Sequence, residues 1–291
     1  ITFVLVFALA LWLMVRAQFP YPDAELLLEL LPALLLITLT GLADDFRPLP
    51  WVPRAVLHFI CATWVIYIIG FPTLIVLDTE IRLGIAGLVF GAIALVWLLN
   101  LYNFMDGIDG IAASEALFAF AGATLIAWRS GISLSQPVIA LMGVCFGFLV
   151  INWPKARVFM GDGGSGFLGL ILGALALSEI LIPVWSWMIL LTWFIADACL
   201  TICLRLMRGD KIHEAHSLHA YQHLNRALGT PRTLLIVQGV NLIWLLPLAG
   251  VAATAQEYGL FLLILAILPT TIFHYYCGAG QPTPMFMEET R

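Results

Sequence analysis

The sequence predicts an all-α fold, a polytopic integral membrane helical bundle of about ten transmembrane helices. Two observations set that class. Hydrophobic residues make up 62% of the chain and charged residues only 11%, against about 25% charged in ordinary soluble domains; mean hydropathy is +1.01. The apolar residues also lie in long runs. A spanning helix needs about 20 of them, so a chain of this length holds on the order of ten. A third observation, where the basic residues fall, tests the count.

The predicted spans cover roughly 1–16, 25–42, 54–71, 85–102, 112–129, 137–151, 163–181, 184–204, 233–253 and 257–276. Lys and Arg in short loops mark the cytoplasmic side. With ten alternating spans, the linkers 43–53, 103–111, 152–162 and 205–232 and the C-terminal tail share one face. Arg47, Arg54, Lys155, Arg157, Arg205, Arg208, Lys211, Arg226, Arg232 and Arg291 lie there; only Arg16, Arg82 and Arg129 fall opposite. One miscounted span would scatter them, so the basic face is expected in the cytoplasm. The outer linkers AQFPYPD, PTLIVLDTEIRLG and SGISLSQ read as ordinary turns. Five cysteines without a CxxC pair give no disulfide framework or zinc knuckle. The chain opens mid-helix on Ile1 with nothing like a cleavable signal peptide. The expectation is one transmembrane catalytic domain over 1–291 that lacks an N-terminal helix and the loop after it.

The acids and histidines gather on the basic face in four clusters. In GLADDFRPLP, Asp44 and Asp45 are adjacent at a helix end and point about 100° apart, so they would do different jobs; a solvated helix end is the plainer alternative. In NLYNFMDGIDG, which follows an apolar run, Asn100, Asn103 and Asp106 repeat at i, i+3 and i+6 along one helix face. Asp109 follows Gly107. A carboxylate at the edge of hydrocarbon is costly without a cation, and amide and carboxylate oxygens suit Mg²⁺. A capped DG turn is the alternative here.

The third cluster is NWPKARVFMGDGGSGFLG. Asp162 and the glycines after it open an apolar span, so free N–H groups at a helix N-terminus would suit a phosphate. Asp162 would add a metal ligand, Lys155 and Arg157 positive charge, and Phe159 a ring for a base; an N-capping Asp is the alternative. The fourth is RLMRGDKIHEAHSLHAYQHLNR. HEAH is one residue short of HExxH, which excludes a zinc protease. His213, His216, His219 and His223 with the surrounding Arg and Lys read as a lid over an anionic substrate, or as a solvated basic loop. Asp197, inside a span, is a functional suspect by default but has an equally good structural reading, and stays outside the site. Together the clusters describe a Mg²⁺ site for a phosphorylated substrate at one membrane face.

In this order and on this face, the four motifs resemble those of the polyprenyl-phosphate N-acetylhexosamine-1-phosphate transferases. That superfamily includes the translocase that makes lipid I and the enzymes that start O-antigen and teichoic acid synthesis. VFMGDGGS with NFMDGIDG is the specific combination, while HSLHAYQHLNR resembles the bacterial O-antigen-initiating branch. The family's further N-terminal helix and Pro/Gly-rich basic loop have no counterpart in this sequence. The resemblance implies transfer of N-acetylhexosamine-1-phosphate from a UDP-N-acetylhexosamine to polyprenyl (undecaprenyl) phosphate. The setting is the cytoplasmic face of the bacterial inner membrane, and UMP release would start lipopolysaccharide O-antigen or another cell-surface glycan. It implies Mg²⁺ as cofactor with Mn²⁺ able to substitute, the lipid bilayer and the two substrates as partners, no nucleic acid, and room for a homodimer.

Residue by residue, the resemblance places Mg²⁺ on Asn103 and Asp162 and the uracil nucleotide near Asp109, Gly107 and Phe159. It places the catalytic pair Asp44 and Asp45 near the phosphates and the acceptor, with Asp162 the third catalytic residue. His216 and His219 would grip sugar and phosphate, and Asn100, Asp106 and Asn152 would support the motif. Two alternatives compete. A Mg-dependent prenyltransferase would carry DxxxD-type pairs, which DGIDG and DD do not match. A solute transporter would place acids at mid-span, where only Asp197 and Glu179 come near.

Overall fold

A computed structural model describes residues 2–17, 22–211 and 216–282. All ten predicted segments have helical counterparts. In chain order these are α1 (Thr2–Arg16), α2 (Pro22–Phe46), α3 (Trp51–Ile69), α4 (Gly84–Phe104), α5 (Ile111–Arg129), α6 (Gln136–Asn152), α7 (Gly161–Ser178), α8 (Val184–Leu190) and α9 (Thr192–Met207). A short α10 (Ala220–Leu228) precedes α11 (Thr230–Val240), a π-helical turn at Asn241–Leu245, α12 (Leu246–Thr254) and α13 (Gly259–Tyr276). Among the described residues, seven helices are long and apolar enough to cross a membrane, or eight if the bent pair α8–α9 is one span. Helices α1 and α6 are shorter apolar helices. The fold is an all-α polytopic membrane bundle.

Two features differ from the expected pattern. The eighth segment is not one helix: α8 and α9 meet at 71°, and no Pro or Gly between Met188 and Phe194 marks the break. The outer linker expected as a plain turn holds a hairpin, β1 (Leu74–Val76) against β2 (Thr79–Ile81), with Val76 opposite Thr79. That leaves a two-residue loop whose first residue, Leu77, has φ 51°, the positive φ such tight hairpin loops require. β-branched residues flanking Asp78 were its signal. The hairpin is tied to the bundle by the Trp185 indole, which donates to Ile75 O at 2.9 Å.

Helix α7 is the axis of the bundle. Every residue from Gly163 to Leu177 is buried, and α2 and α4 pack against it. Small residues allow that approach, as they do wherever membrane helices lack a hydrophobic drive to associate. A Cβ on Gly169 would sit 2.7 Å from Leu99 Cα, and one on Gly41 would strike the backbone at Asp162 and Gly163. Outer faces instead expose large apolar side chains, among them Phe59, Trp64, Phe90 and Phe261, as lipid-facing surfaces do. One consequence matters for chemistry: the C-terminal ends of α2 and α4 meet the N-terminal end of α7.

Candidate active site

Seven of the residues expected at the site, Asn103, Asp106, Gly107, Asp109, Asn152, Phe159 and Asp162, line one cavity of about 260 Å³ at that junction. Asn100 opens instead into a small cavity of about 30 Å³ alongside, shared with Arg54, His58, Asn103 and Asp162. A larger concavity of about 800 Å³ lies on the outer face of α3; it carries no acid and faces outward, so it is lipid-facing surface.

The two loops around the main cavity are clamped to each other. Asn152 Oδ1 accepts the Gly110 N–H at 2.8 Å, and its Nδ2 donates to Val158 O at 2.7 Å. Asp109 Oδ2 accepts the Ala156 N–H at 3.0 Å. Gly110 takes φ 79°, a left-handed conformation that glycine adopts without cost. Phe159 ends up on this clamped loop 75% exposed, its ring free.

Asp44 and Asp45 have different partners. Asp44 Oδ1 accepts the Leu49 N–H and its Oδ2 lies against Arg54 Nη1, both at 2.6 Å. Arg54 also stands 3.9 Å from Asp162 Oδ2. Asp45 Oδ1 accepts the Asp162 N–H at 3.1 Å. At the start of α7, where a phosphate nest is expected, Asp45 takes one N–H and the packing of Gly41 covers Gly163. Close approach of α2 is the physical reason, and motif spacing carries no sign of it.

The stripe of Asn100, Asn103 and Asp106 is also broken. Helix α4 ends at Phe104, and the Asp106 N–H turns back to Asn103 O at 3.2 Å. Asn100 donates to Val96 O in its own helix at 2.7 Å, while Asn103 Nδ2 reaches Ser165 Oγ at 3.3 Å. Asp106 faces the cavity, and its carboxyl is pushed up to about 8 by burial and then by the charges of Asp162 and Asp45. Among the described residues no group of three or more His, Cys, Asp or Glu has the spacing of a metal cluster. With Asp109 and Asn152 engaged in the loop clamp, the cavity offers hard oxygens from the Asn103 amide and the carboxylates of Asp106 and Asp162. Repelling acids around a cavity suit a hard cation that takes one or two carboxylates and keeps water or phosphate.

The histidine loop is not free. His219 is 1% exposed, with Nδ1 3.3 Å from Asp197 Oδ1. Asp197 also accepts the Ala220 N–H at 2.9 Å, the Tyr221 N–H at 3.0 Å and the Thr201 hydroxyl at 3.1 Å. The intramembrane acid thus caps α10 from a neighbouring helix. The His216 ring lies tilted against His219, centroids 4.9 Å apart and planes 33° from parallel. Burial first, and then the neighbouring His219 and Arg205, lowers His216 to about 4. His213 and Arg291 lie outside the described residues. Neither His216 nor His219 lines the main cavity.

Sequence reasoning missed Arg54 as a site residue and missed Glu115 altogether. Arg54 follows Asp44 by ten positions, across a Pro-rich turn that brings them together. Glu115 is fully buried in α5 and meets Asn241, on the π-helical turn, at 2.6 Å. Nothing short of the packing of α11 on α5 could have paired them.

The profile of the family described as glycosyl transferase family 4 matches residues 27–180. Several curated relatives are phospho-N-acetylmuramoyl-pentapeptide-transferases. That of Anoxybacillus flavithermus is 30% identical over 152 residues, 50% of this chain and 46% of the relative. The Latilactobacillus sakei protein is 41% identical over 97 residues, 32% of this chain and 29% of its own. The Moorella thermoacetica protein is 42% identical over 97 residues, 32% and 30%. Each match thus spans less than half of the relative. All four clusters of the sequence meet around the junction of α2, α4 and α7 or are tied to it through α10, and the profile covers the three packed helices that form it. This chain belongs to glycosyl transferase family 4.

Proposed function

We propose that this chain transfers N-acetylhexosamine-1-phosphate from a UDP-sugar to polyprenyl phosphate at the cytoplasmic face of the bacterial plasma membrane. The observation that carries this reading is the single cavity into which Asn103, Asp106, Asp109, Phe159 and Asp162 converge. An oxygen of the lipid phosphate attacks the β-phosphorus of the UDP-sugar. The new P–O bond forms there, the bond to the oxygen bridging to the α-phosphate breaks, and UMP leaves with that electron pair. Nucleophile and electrophile are both anionic, so the reaction needs charge neutralisation and in-line placement above all.

The donor set fits Mg²⁺, which Asn103 and Asp162 would hold with Asp106 as a further carboxylate. Bound there, Mg²⁺ (or Mn²⁺ in its place) supplies neutralisation of the diphosphate charge. The chain's own residues do the rest. Arg54 offers a cation beside Asp162, where the acceptor phosphate would sit at the membrane edge. Asp44 has both oxygens engaged, and a phosphate monoester with a second pKa near 6 is already mostly dianionic at pH 7. Asp44 therefore orients Arg54 and takes no proton. Asp45 fixes the start of α7 and with it Asp162. Asp109 and Asn152 hold the loop whose Phe159 ring stacks on uracil. His216, on the more exposed side of the histidine pair, contacts the sugar phosphate while His219 lies behind it.

The relatives' name supports a second reading, a donor carrying a muramoyl-pentapeptide. The loop HSLHAYQHLNR favours the first, with the product starting a cell-surface glycan such as O-antigen. Membranes containing the chain are incubated with polyprenyl phosphate and radiolabelled UDP-N-acetylhexosamines, with the muramoyl-pentapeptide donor in parallel. Label in the lipid fraction with equimolar UMP, lost in excess EDTA and restored by Mg²⁺, is the expected result. Label from the pentapeptide donor alone would establish the second reading.

A further inference from the structure

One side chain joins the histidine loop to the acid loop. Tyr221 is completely buried. Its N–H is held by Asp197 Oδ2 at 3.0 Å, and its hydroxyl donates to Phe104 O at 3.0 Å. Phe104 is the last residue of α4, and the cavity loop starts just after it. On its other side the Tyr221 ring stacks on His219, centroids 5.7 Å apart and planes 23° from parallel. Gln222 reinforces the joint, since its Oε1 accepts the His219 N–H at 3.1 Å.

Gly107 lies against this joint. A Cβ placed on Gly107 would strike the Tyr221 hydroxyl and lie 3.2 Å from both Tyr221 Cζ and Gln222 Nε2. Gly107 has no positive φ, so its backbone conformation does not call for glycine. Space does: the tyrosine hydroxyl occupies the volume a side chain would need.

We propose that Tyr221 is a positioning residue for the sugar-nucleotide site, setting the loop of Asp106, Gly107 and Asp109 against the histidine loop so that the two move as one body. The proposal rests on the functional reading above for its kinetic consequence, though not for its structural one. A carbonyl at the end of α4 has no following turn of helix to satisfy it, and Tyr221 supplies the partner. Asp197 anchors Tyr221 from α9, so the chain of contacts runs α9, α10, Phe104, cavity loop. Tyr221 touches no reacting atom in this scheme and acts through the loop it holds.

The test uses the full chain purified in detergent, with three variants: Tyr221→Phe, Gly107→Ala and the two combined. Tyr221→Phe keeps the ring and its stack on His219 and removes only the hydroxyl. Hydrogen exchange of amides 105–110 is expected to quicken in that variant while α7 is unchanged. In the transfer assay, KM for the UDP-sugar rises by about threefold to tenfold with kcat nearly kept, the effect of losing one neutral hydrogen bond that orders a binding loop. Gly107→Ala is expected to be worse than Tyr221→Phe, and adding Tyr221→Phe to it is expected to restore part of the loss, because the hydroxyl that obstructs the methyl is gone. Unchanged exchange at 105–110, or strictly additive effects in the double variant, would overturn the proposal. If the wild-type chain transfers no sugar phosphate, the functional reading fails while the exchange result still decides this one. Should Tyr221→Phe not yield monodisperse protein, exchange in Gly107→Ala alone carries the test.

Discussion

At the scale of single residues, the site separates charge from scaffolding. Asp162 faces the cavity and Arg54, whereas Asp109 spends one oxygen on the Ala156 N–H. Their loss should differ in kind. Asp162→Asn keeps the size but removes a charge from the site proposed to hold a dication against water, so turnover and apparent Mg²⁺ affinity should fall together, by roughly tenfold or more. Asp109→Ala frees the loop carrying Phe159, so KM for UDP-sugar should rise while metal dependence is kept. Activity measured against both concentrations decides, and full activity of Asp162→Asn would sink the metal assignment. His216 gives a pH prediction. Its value is lowered from 6.5 to about 4, so the folded state takes up a proton less readily than the unfolded chain. The contribution of His216 to stability is therefore constant above about pH 6.5 and falls as pH drops from there towards 4. His216→Gln cannot take that proton and should lose less between pH 7.5 and 5. Melting temperatures of both proteins in detergent at those two pH values check this, and equal shifts would contradict it.

At the scale of elements, the packing of α2 on α7 is what brings the acids together. Gly41 lies directly against Gly163, so Gly41→Ala must push α2 away or strain both backbones. Overpacking of this kind costs about 1–3 kcal/mol, and here it should also pull Asp45 off the Asp162 N–H. Gly143 serves as control, because a Cβ there meets nothing within 4 Å. A lower melting temperature for Gly41→Ala beside an unchanged one for Gly143→Ala is expected; equal melting would mean the helices slide past each other freely. The elements also show where sequence periodicity stops informing. The apolar helices were legible from run length, whereas the polar α10 fell inside an expected linker. The 71° break between α8 and α9 was not, because no residue there is a helix breaker and the bend answers to the neighbours packed around it.

At the scale of the whole molecule, the arrangement predicts sidedness. Ser133 lies exposed in the α5–α6 linker and Ser217 exposed in the α9–α10 loop. In a cysteine-free background, Ser133→Cys should react with an impermeant thiol reagent in intact cells. Ser217→Cys should react only after the membrane is opened. Labelling of 217 from outside would invert the orientation and place the cavity on the wrong face for a cytoplasmic nucleotide sugar.

The sequence by itself determined the class of this protein and most of the chemistry on its cavity wall. Composition demands lipid, and Asp, Asn and Gly at these helix ends are the residue types that the proposed anionic substrate and hard cation would need. Tertiary structure alone decided the division of labour. Asp45 caps α7, Asp197 anchors α10, Arg54 bridges Asp44 and Asp162, and Gly107 yields its space to a tyrosine more than one hundred positions away. The reason is that a residue's type is local, while the partner that satisfies its charge or fills its space is fixed by which helices can approach closely enough to touch.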